Sequence, residues 1–344
     1  MQPGESLEQV LEETTRRRSG EPRLAAAARA ILALAEAAAR LSALIAKPSP
    51  GAALGASVGA ANADGDAQKH LDVIAEEICS GALREAGVGP YLSEEQADAG
   101  WLNPGGAVAV AIDPLDGSSN IEVNGIVGTI FSVLPAGESG SDPAASFLVS
   151  GRSQIAAGFF AYGPQTTLVL SVGEGVALFG LDRAVGRFLL IEPAMRIPEG
   201  KGEYAINASN HRHWREPVQR FIEHCLAGEG GPLGRDFNMR WAGALASDAY
   251  RVFVRGGLFL YPADARRGYE QGRLRLLYEV SPMAFLAEQA GGAATDGEDP
   301  VLDRVPVRLH ERAPLVLGPT KLVELVRRYH GEAADLAAHQ SVNG

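Results

Sequence analysis

The sequence predicts a mixed α/β chain in two parts, and three observations carry that expectation. An alanine-rich run from Arg23 to Ala46 places Leu24, Ile31, Leu34, Leu41 and Ile45 close to helical spacing. From Gln154 to Glu192, short apolar runs separated by glycine-bearing turns read as an antiparallel meander. After about Pro198 strands and helices alternate, which divides the chain into 1–197 and 198–344. The 344 residues, 46% hydrophobic and 21% charged, suffice for two ordinary globular domains or one large one.

The elements follow in order. Lys47-Pro48 and Pro50-Gly51 end the first helix, and Gly51 to Gly65 is small and nearly featureless, a length that favours a functional loop. A second helix spans Gln68 to Ala86, with Leu71, Ile74, Ile78 and Leu83 inward. A strand around Val88 to Leu92 runs into Ser93-Glu94-Glu95. The buried strand from Val108 ends on Asp113, because Pro114 cannot supply a ladder donor. A strand from Ile126 to Leu134 and a polar loop from Ala136 to Gly151 come next. In the second part, strand Tyr204–Asn207 precedes helix Glu216–Leu226, and helix Ala242–Arg255 precedes strand Leu258–Tyr261. Strand Leu274–Tyr278 precedes helix Pro282–Ala290, stopped by Gly291-Gly292. Strand Leu315–Leu317 leads into a last helix from about Thr320.

Charge and composition exclude several functions. A net charge of −11 with no basic arm argues against a nucleic-acid partner. The run Arg16-Arg17-Arg18 has Glu12 and Glu13 beside it and reads as a solvated helix face. No apolar run reaches membrane-spanning length, and the first twenty residues are acidic and polar, unlike a signal peptide. A soluble, cytoplasmic protein with no membrane partner is expected. Cys79 and Cys225 read as two reduced, buried thiols, and no cysteine lies close enough to His211 and His213 to complete a zinc site.

The chemistry concentrates in Ala111 to Asn120, AIDPLDGSSN. Asp113 sits at the carboxyl end of a buried strand, where open α/β sheets place their ligands, and Asp116 faces it across a tight turn. Two unpaired carboxylates about 4 Å apart repel by roughly 4 kcal/mol at an effective dielectric of 20. Nothing basic lies in the stretch, so a cation must come from elsewhere. Asp66, Asp72, Glu94, Glu95 and Glu279 end other elements. Each alone fits a turn, a solvated loop or a helix start, but so many hard oxygen donors suit Mg²⁺ or Mn²⁺. Gly117-Ser118-Ser119-Asn120 adds backbone N–H groups and hydroxyls at a helix start, a phosphate-binding arrangement. Metal beside phosphate suggests phosphoryl transfer to water, one of the slowest uncatalysed reactions, with enzymatic accelerations up to ~10²¹.

IDPLDGSSN looks like the signature of the lithium-sensitive, magnesium-dependent sugar phosphatases, the group that contains inositol monophosphatase. Over nearly its whole length the chain more closely resembles class 1 fructose-1,6-bisphosphatase. GDAQKHLDV, LSEE, VGTIF, GLFLYPAD, GRLRLLYEVSPMAFLAEQAGG and ERAPLVLG carry the resemblance in order. A nucleotide or inositol phosphatase fits the metal motif equally well but leaves GRLRLLYE and the full-length match unexplained.

The resemblance implies a layered α/β/α/β/α sugar-phosphatase fold and a homotetramer. It implies an enzyme that removes the 1-phosphate of fructose 1,6-bisphosphate in gluconeogenesis or the Calvin cycle, with two or more Mg²⁺ per subunit (Mn²⁺ substituting). Glu94, Glu95, Asp113, Asp116, Glu279 and the Leu115 carbonyl match the metal ligands. Asp72 and Glu95 match the groups that orient and deprotonate the attacking water, and Asp66 ends the mobile catalytic loop. Asp116, Gly117, Ser118 and Ser119 fall at the reacting phosphate. Asn207, Tyr261 and Arg273 fall at the sugar and 6-phosphate, which Arg240 reaches from a neighbouring subunit. Arg273 stands where the family has lysine, and Trp241 and Asn210 stand where it has tyrosines. Sedoheptulose 1,7-bisphosphate presents the same furanose end and is an alternative substrate. A silent sugar-phosphate sensor would have lost one of these carboxylates, and all are present.

The resemblance carries three further expectations. Activity rises toward mildly alkaline pH as metal ligands lose protons. No disulfide switch operates, because the plastid enzymes' cysteines fall near Ala136 to Gly151, where this chain has none. AMP is a poor inhibitor, because Pro22 and Arg23 alter the matching helix start and Ala107-Val108 replace a Lys-Tyr pair.

Overall fold

A computed structural model describes residues 2–47, 57–61, 67–200 and 202–342. It opens on α1 (Leu7–Arg17), a helix not delineated from sequence. Ser6 and Gln9 form a capping box at its start, each side chain accepting the other's backbone N–H. Then come α2 (Pro22–Ile45), β1 (Ser57–Ala61), β2 (Ala67–Lys69), α3 (His70–Glu85), β3 (Pro90–Ser93), β4 (Gly100–Trp101), β5 (Val108–Asp116) and β6 (Val127–Pro135). The meander is β7 (Ala156–Tyr162), β8 (Thr166–Ser171), β9 (Val176–Asp182) and β10 (Arg187–Met195). The remainder runs β11 (Glu203–Ala205), α4 (Glu216–Leu226), β12 (Asn238–Met239), α5 (Leu245–Arg255), β13 (Leu258–Tyr261) and β14 (Leu274–Arg275). It closes with α6 (Ser281–Gln289), β15 (Gly292–Thr295), β16 (Arg312–Ala313), β17 (Leu315–Pro319) and α7 (Thr320–Val342).

Apolar cores lie between five layers. Helices α1 to α3 cover one face of an eight-stranded sheet, ordered β10-β9-β8-β7-β6-β5-β3-β4, where Leu34, Leu41 and Leu71 meet Val110, Ile112, Phe131 and Phe160. The opposite face gives Ile130 and Phe159 to a middle core with Leu245 and Phe253 of α5, Met283 and Leu286 of α6, and Phe259 and Leu317 of a five-stranded sheet. That second sheet, β12-β11-β13-β17-β15, turns Leu258 and Leu260 outward onto Phe221 and Ile222 of α4 and Val323 and Val326 of α7. The result is helix, sheet, helix, sheet, helix. Strands buried on both faces explain why β5 and β13 read as unbroken apolar runs.

Several boundaries differ from the sequence reading, each for a local reason. β5 does not stop at Asp113 but continues through Pro114 to Asp116. Asp113 pairs with Ile130 and Asp116 with Gly128, so one extra residue is absorbed as a bulge. Pro114 needs no donor there, and its carbonyl accepts the Thr129 hydroxyl at 2.8 Å. Asp113 and Asp116 therefore share one strand instead of facing each other across a turn. The segment after Asp116 is a single 3-10 turn, Ser118–Asn120, and not the start of a longer helix. The strand expected over Leu274–Tyr278 is only β14, and Leu276–Val280 form one π-helical turn that feeds α6. Helix α5 begins three residues late because Ala242 and Gly243 donate their N–H groups to Asp248 at 2.9 and 3.0 Å.

Cys79 and Cys225 are both buried, on α3 and α4. Among the described residues no helix is long and apolar enough to cross a membrane.

Candidate active site

Five carboxylates from three segments converge at the edge of the middle layer. Asp113 and Asp116 come from the bulged end of β5, Glu94 and Glu95 from the loop after β3, and Glu279 from the π turn. Asp113, Asp116 and Glu279 are 4%, 7% and 8% exposed, and one oxygen of each lies within 4.8 Å of the others. The bulge makes this possible. Across the extra residue, Leu115 directs its N–H to Asp113 Oδ1 at 3.0 Å.

Asp116 has a second task. Its Oδ1 and Oδ2 accept the N–H groups of Leu245 and Ala246 at 3.2 and 2.7 Å, so it caps the N-terminus of α5 from another element. Glycine at 117 permits the approach. Its φ is +76°, and a Cβ there would lie 2.4 Å from the Ala244 Cβ. Asp72 is buried in the first turn of α3, which packs against β5. Asp66 lies outside the described residues.

Among the described residues, Arg275 brings the cluster a cation that sequence reasoning missed. Arg275, 5% exposed, reaches back from β14 to Glu94 at 3.1 Å, and its backbone N–H donates to Glu279 Oε2 at 2.5 Å. The local stretch contains nothing basic, as expected, but a distant one supplies a guanidinium. The two arginines of GRLRLLYE part company: Arg273, just before β14, goes to Tyr261 and Tyr269, and Arg275, within it, goes to Glu94. Gly272 lets that strand lie against its partner, since a Cβ there would sit 2.5 Å from the Ala313 carbonyl carbon.

The carboxylates crowd their negative charge together beside the Arg275 guanidinium. Burial, then the charges of Glu94 and the neighbouring carboxylates, push Asp113 and Glu279 well above the usual carboxylate range. Burial likewise raises Asp116 to about 7, although its two backbone hydrogen bonds oppose the shift.

These raised values fix the sign of a pH effect. A carboxyl whose folded pKa exceeds its unfolded value stabilises the fold fully below about pH 4 and loses that contribution as pH rises through the folded value. For Asp116 the loss runs up to about 7. A divalent cation binds the deprotonated form and restores the loss. The increase in Tm on adding Mg²⁺ is therefore expected to grow from about pH 5 to about pH 8. A constant or shrinking increase contradicts this account.

Of the residues that the resemblance assigns to the sugar and its 6-phosphate, Tyr261 and Arg273 lie beside the cluster. Arg273 stacks 4.7 Å above the Tyr269 ring and hydrogen-bonds the Tyr261 hydroxyl, whose pKa burial raises and which also senses Glu279. Trp241 stacks on Phe259, with ring centres 6.1 Å apart, and lies 5.9 Å from Tyr261. Asn207 caps the turn Ala208–His213 through Ser209, and Asn210 lies within that turn. Arg240 is exposed just beyond β12, apart from the carboxylates. Ser118 is half-buried and Ser119 exposed, on the turn next to Asp116.

The Fructose-1-6-bisphosphatase N-terminal domain model matches residues 9–193, and the corresponding C-terminal domain model matches residues 197–331. The chain belongs to this family. It is 53% identical to a class 1 fructose-1,6-bisphosphatase of Methylorubrum extorquens, across 95% of this chain and 92% of that protein. It is 48% identical to that of Rhodopseudomonas palustris, across 97% and 95%. The structure of Leishmania major fructose-1,6-bisphosphatase in holo form superposes with a TM-score of 0.87 at 30% identity, covering 96% of this chain and all of that one.

The donor set passes the test for the family's divalent metal. Three buried carboxylates within mutual ligand distance, Glu94 and Glu95 beside them, and the Arg275 guanidinium at Glu94 form a hard-oxygen, acidic pocket.

Proposed function

We propose that this chain hydrolyses the 1-phosphate of fructose 1,6-bisphosphate to fructose 6-phosphate and phosphate, using two or more Mg²⁺ ions per subunit. The observation that carries this reading is the buried convergence of Asp113, Asp116 and Glu279 beside Arg273 and Tyr261. Asp113, Asp116, Glu279, Glu94, Glu95 and the Leu115 carbonyl hold the ions, which supply a more acidic water and offset charge on the leaving oxygen. Gly117, Ser118 and Ser119 hold the 1-phosphate with N–H and hydroxyl donors. Asn207, Tyr261, Arg273 and Arg240 of the partner subunit hold the sugar and its 6-phosphate. Asp72 and Glu95 orient the attacking water, with Asp66 at the loop beside them, and a carboxylate oxygen of Glu95 takes its proton. The new P–O bond forms as the bond from phosphorus to the sugar O1 breaks, and O1 takes a proton from solvent to leave as the hydroxyl of fructose 6-phosphate. We place the enzyme in the cytoplasm as a homotetramer, with its domain division near residue 197. Steady-state phosphate release from fructose 1,6- and sedoheptulose 1,7-bisphosphate tests the substrate. The reading expects the higher kcat/KM on the fructose compound, and the reverse order overturns it.

The same reading expects weak inhibition by AMP. The start of α2 carries Pro22, which lacks an N–H, and Glu21, which makes no side-chain cap. Two of the neighbouring cations, Arg17 and Arg18, are already engaged, while Arg23 in the first turn of α2 is exposed. Arg18 donates to Glu21 at 2.8 and 2.6 Å and to the Val172 carbonyl at 2.6 Å, and Arg17 pairs with Glu174. Each charged hydrogen bond denied to a phosphate costs about 1.5–3 kcal/mol. An inhibition titration at saturating Mg²⁺ should show little effect at micromolar AMP, and half-inhibition there defeats the expectation.

A further inference from the structure

Glu76 lies on α3, one turn beyond Asp72, and has no place in the mechanism above. Its carboxylate faces the underside of the Glu94–Glu95 loop, half-buried, and both oxygens are occupied. Oε2 accepts the Tyr91 hydroxyl at 2.8 Å and the Ser93 hydroxyl at 2.7 Å, and Oε1 accepts the Gln96 amide at 2.6 Å. All three donors are neutral, and they flank Glu94 and Glu95 on both sides in sequence. Ser93, fully buried, also accepts the backbone N–H of Glu95 at 3.2 Å. The Glu94 N–H is tied to the Ile112 carbonyl at 3.1 Å, one residue before Asp113. The loop that presents two carboxylates is thus held by a third, through the residues that flank them.

This arrangement answers an energetic problem. Glu94 and Glu95 must stand close to Asp113, Asp116 and Glu279, which repel them. Carboxylates on a short, free loop would relieve that repulsion by moving apart, and a cation would have to gather them again. Three hydrogen bonds to one acceptor group remove that freedom, because moving the loop would leave buried hydroxyls without their partner.

We propose that Glu76 is a positioning residue for the metal centre: through Ser93 and Gln96 it holds the Glu94–Glu95 loop in place before a divalent cation arrives. The inference rests on the phosphatase reading above. Groups that orient metal ligands in this way change metal affinity or activity by about 10–100-fold when removed.

The test measures binding of Mn²⁺ alone, by electron paramagnetic resonance of the free ion, alongside kcat, KM and Tm, for the wild type, E76A, E76Q and S93A. E76A should weaken Mn²⁺ binding about tenfold and lower kcat, with KM for the bisphosphate changed less than about twofold. E76Q keeps one acceptor oxygen and should fall between E76A and the wild type. S93A leaves Glu76 with Tyr91 and Gln96 but cuts the link to Glu95, and should shift Mn²⁺ binding in the same direction even if E76A does not fold. Variants that bind Mn²⁺ and turn over as the wild type does, with only Tm lowered, overturn the proposal. A wild type that neither binds Mn²⁺ nor releases phosphate overturns the phosphatase reading instead, and this proposal with it.

Discussion

Asp116→Ala is expected to lower kcat about 10³-fold at saturating Mg²⁺, because a metal supplies several kcal/mol of transition-state stabilisation and each 1.36 kcal/mol is tenfold. Two losses coincide at this side chain. The pocket loses one of the three carboxylates that lie within 4.8 Å of one another, and the N-terminus of α5 loses the acceptor for Leu245 and Ala246. The second loss costs about 1 kcal/mol, as a cap does, and relief of repulsion among the remaining carboxylates offsets it. Tm in the presence of chelator should therefore change little while turnover collapses. A variant that retains more than about a tenth of wild-type kcat, or one that simply unfolds, contradicts this division of labour.

Arg275→Met should produce the opposite pattern, a large loss of stability that metal repairs. The residue is 5% exposed, and its guanidinium pairs with Glu94 among the carboxylates. Removing one partner of a buried ion pair costs about 3–5 kcal/mol, because the other charge stays buried without compensation. In chelator, denaturant unfolding should show a loss of about that size. With Mg²⁺ added, the deficit relative to wild type should shrink, since the bound cation replaces the missing positive charge beside Glu94. An equal deficit in both conditions means that Arg275 serves packing and not charge balance.

What was legible in the sequence followed from local pattern. The apolar periodicity of α2, α3, α4 and α6 and the short runs of the meander placed these elements within a few residues, because their periods repeat over many positions. The carboxylates that converge from β5 and the loop after β3 were legible because IDPLDGSSN and LSEE are compact. Features created by contacts between distant segments were not. The bulge that carries β5 past Pro114 depends on Thr129 and Gly128 of the next strand, and nothing within the DPLD stretch announces it. The late start of α5 depends on Asp248 drawing two N–H groups into a loop, against the helical pattern of Ala242 to Leu245. Arg275 was hidden for the same reason: it lies more than 150 residues from Asp116, and only the packing of β14 beside the π turn brings it to Glu94. Glu76 read as one more polar helix position, since its partners come from β3 and the loop beyond it.

The central claim is that a carboxylate-held divalent metal centre removes the 1-phosphate of fructose 1,6-bisphosphate. Phosphorus NMR of the purified protein with this substrate tests it most directly, because the two phosphate esters give separate signals. The account predicts that the 1-phosphate signal decays with Mg²⁺ present, that inorganic phosphate appears in equal amount, and that a 6-phosphate signal persists. Excess chelator should stop the conversion and added Mg²⁺ should restart it. Loss of the 6-phosphate, or undiminished hydrolysis in excess chelator, would contradict it.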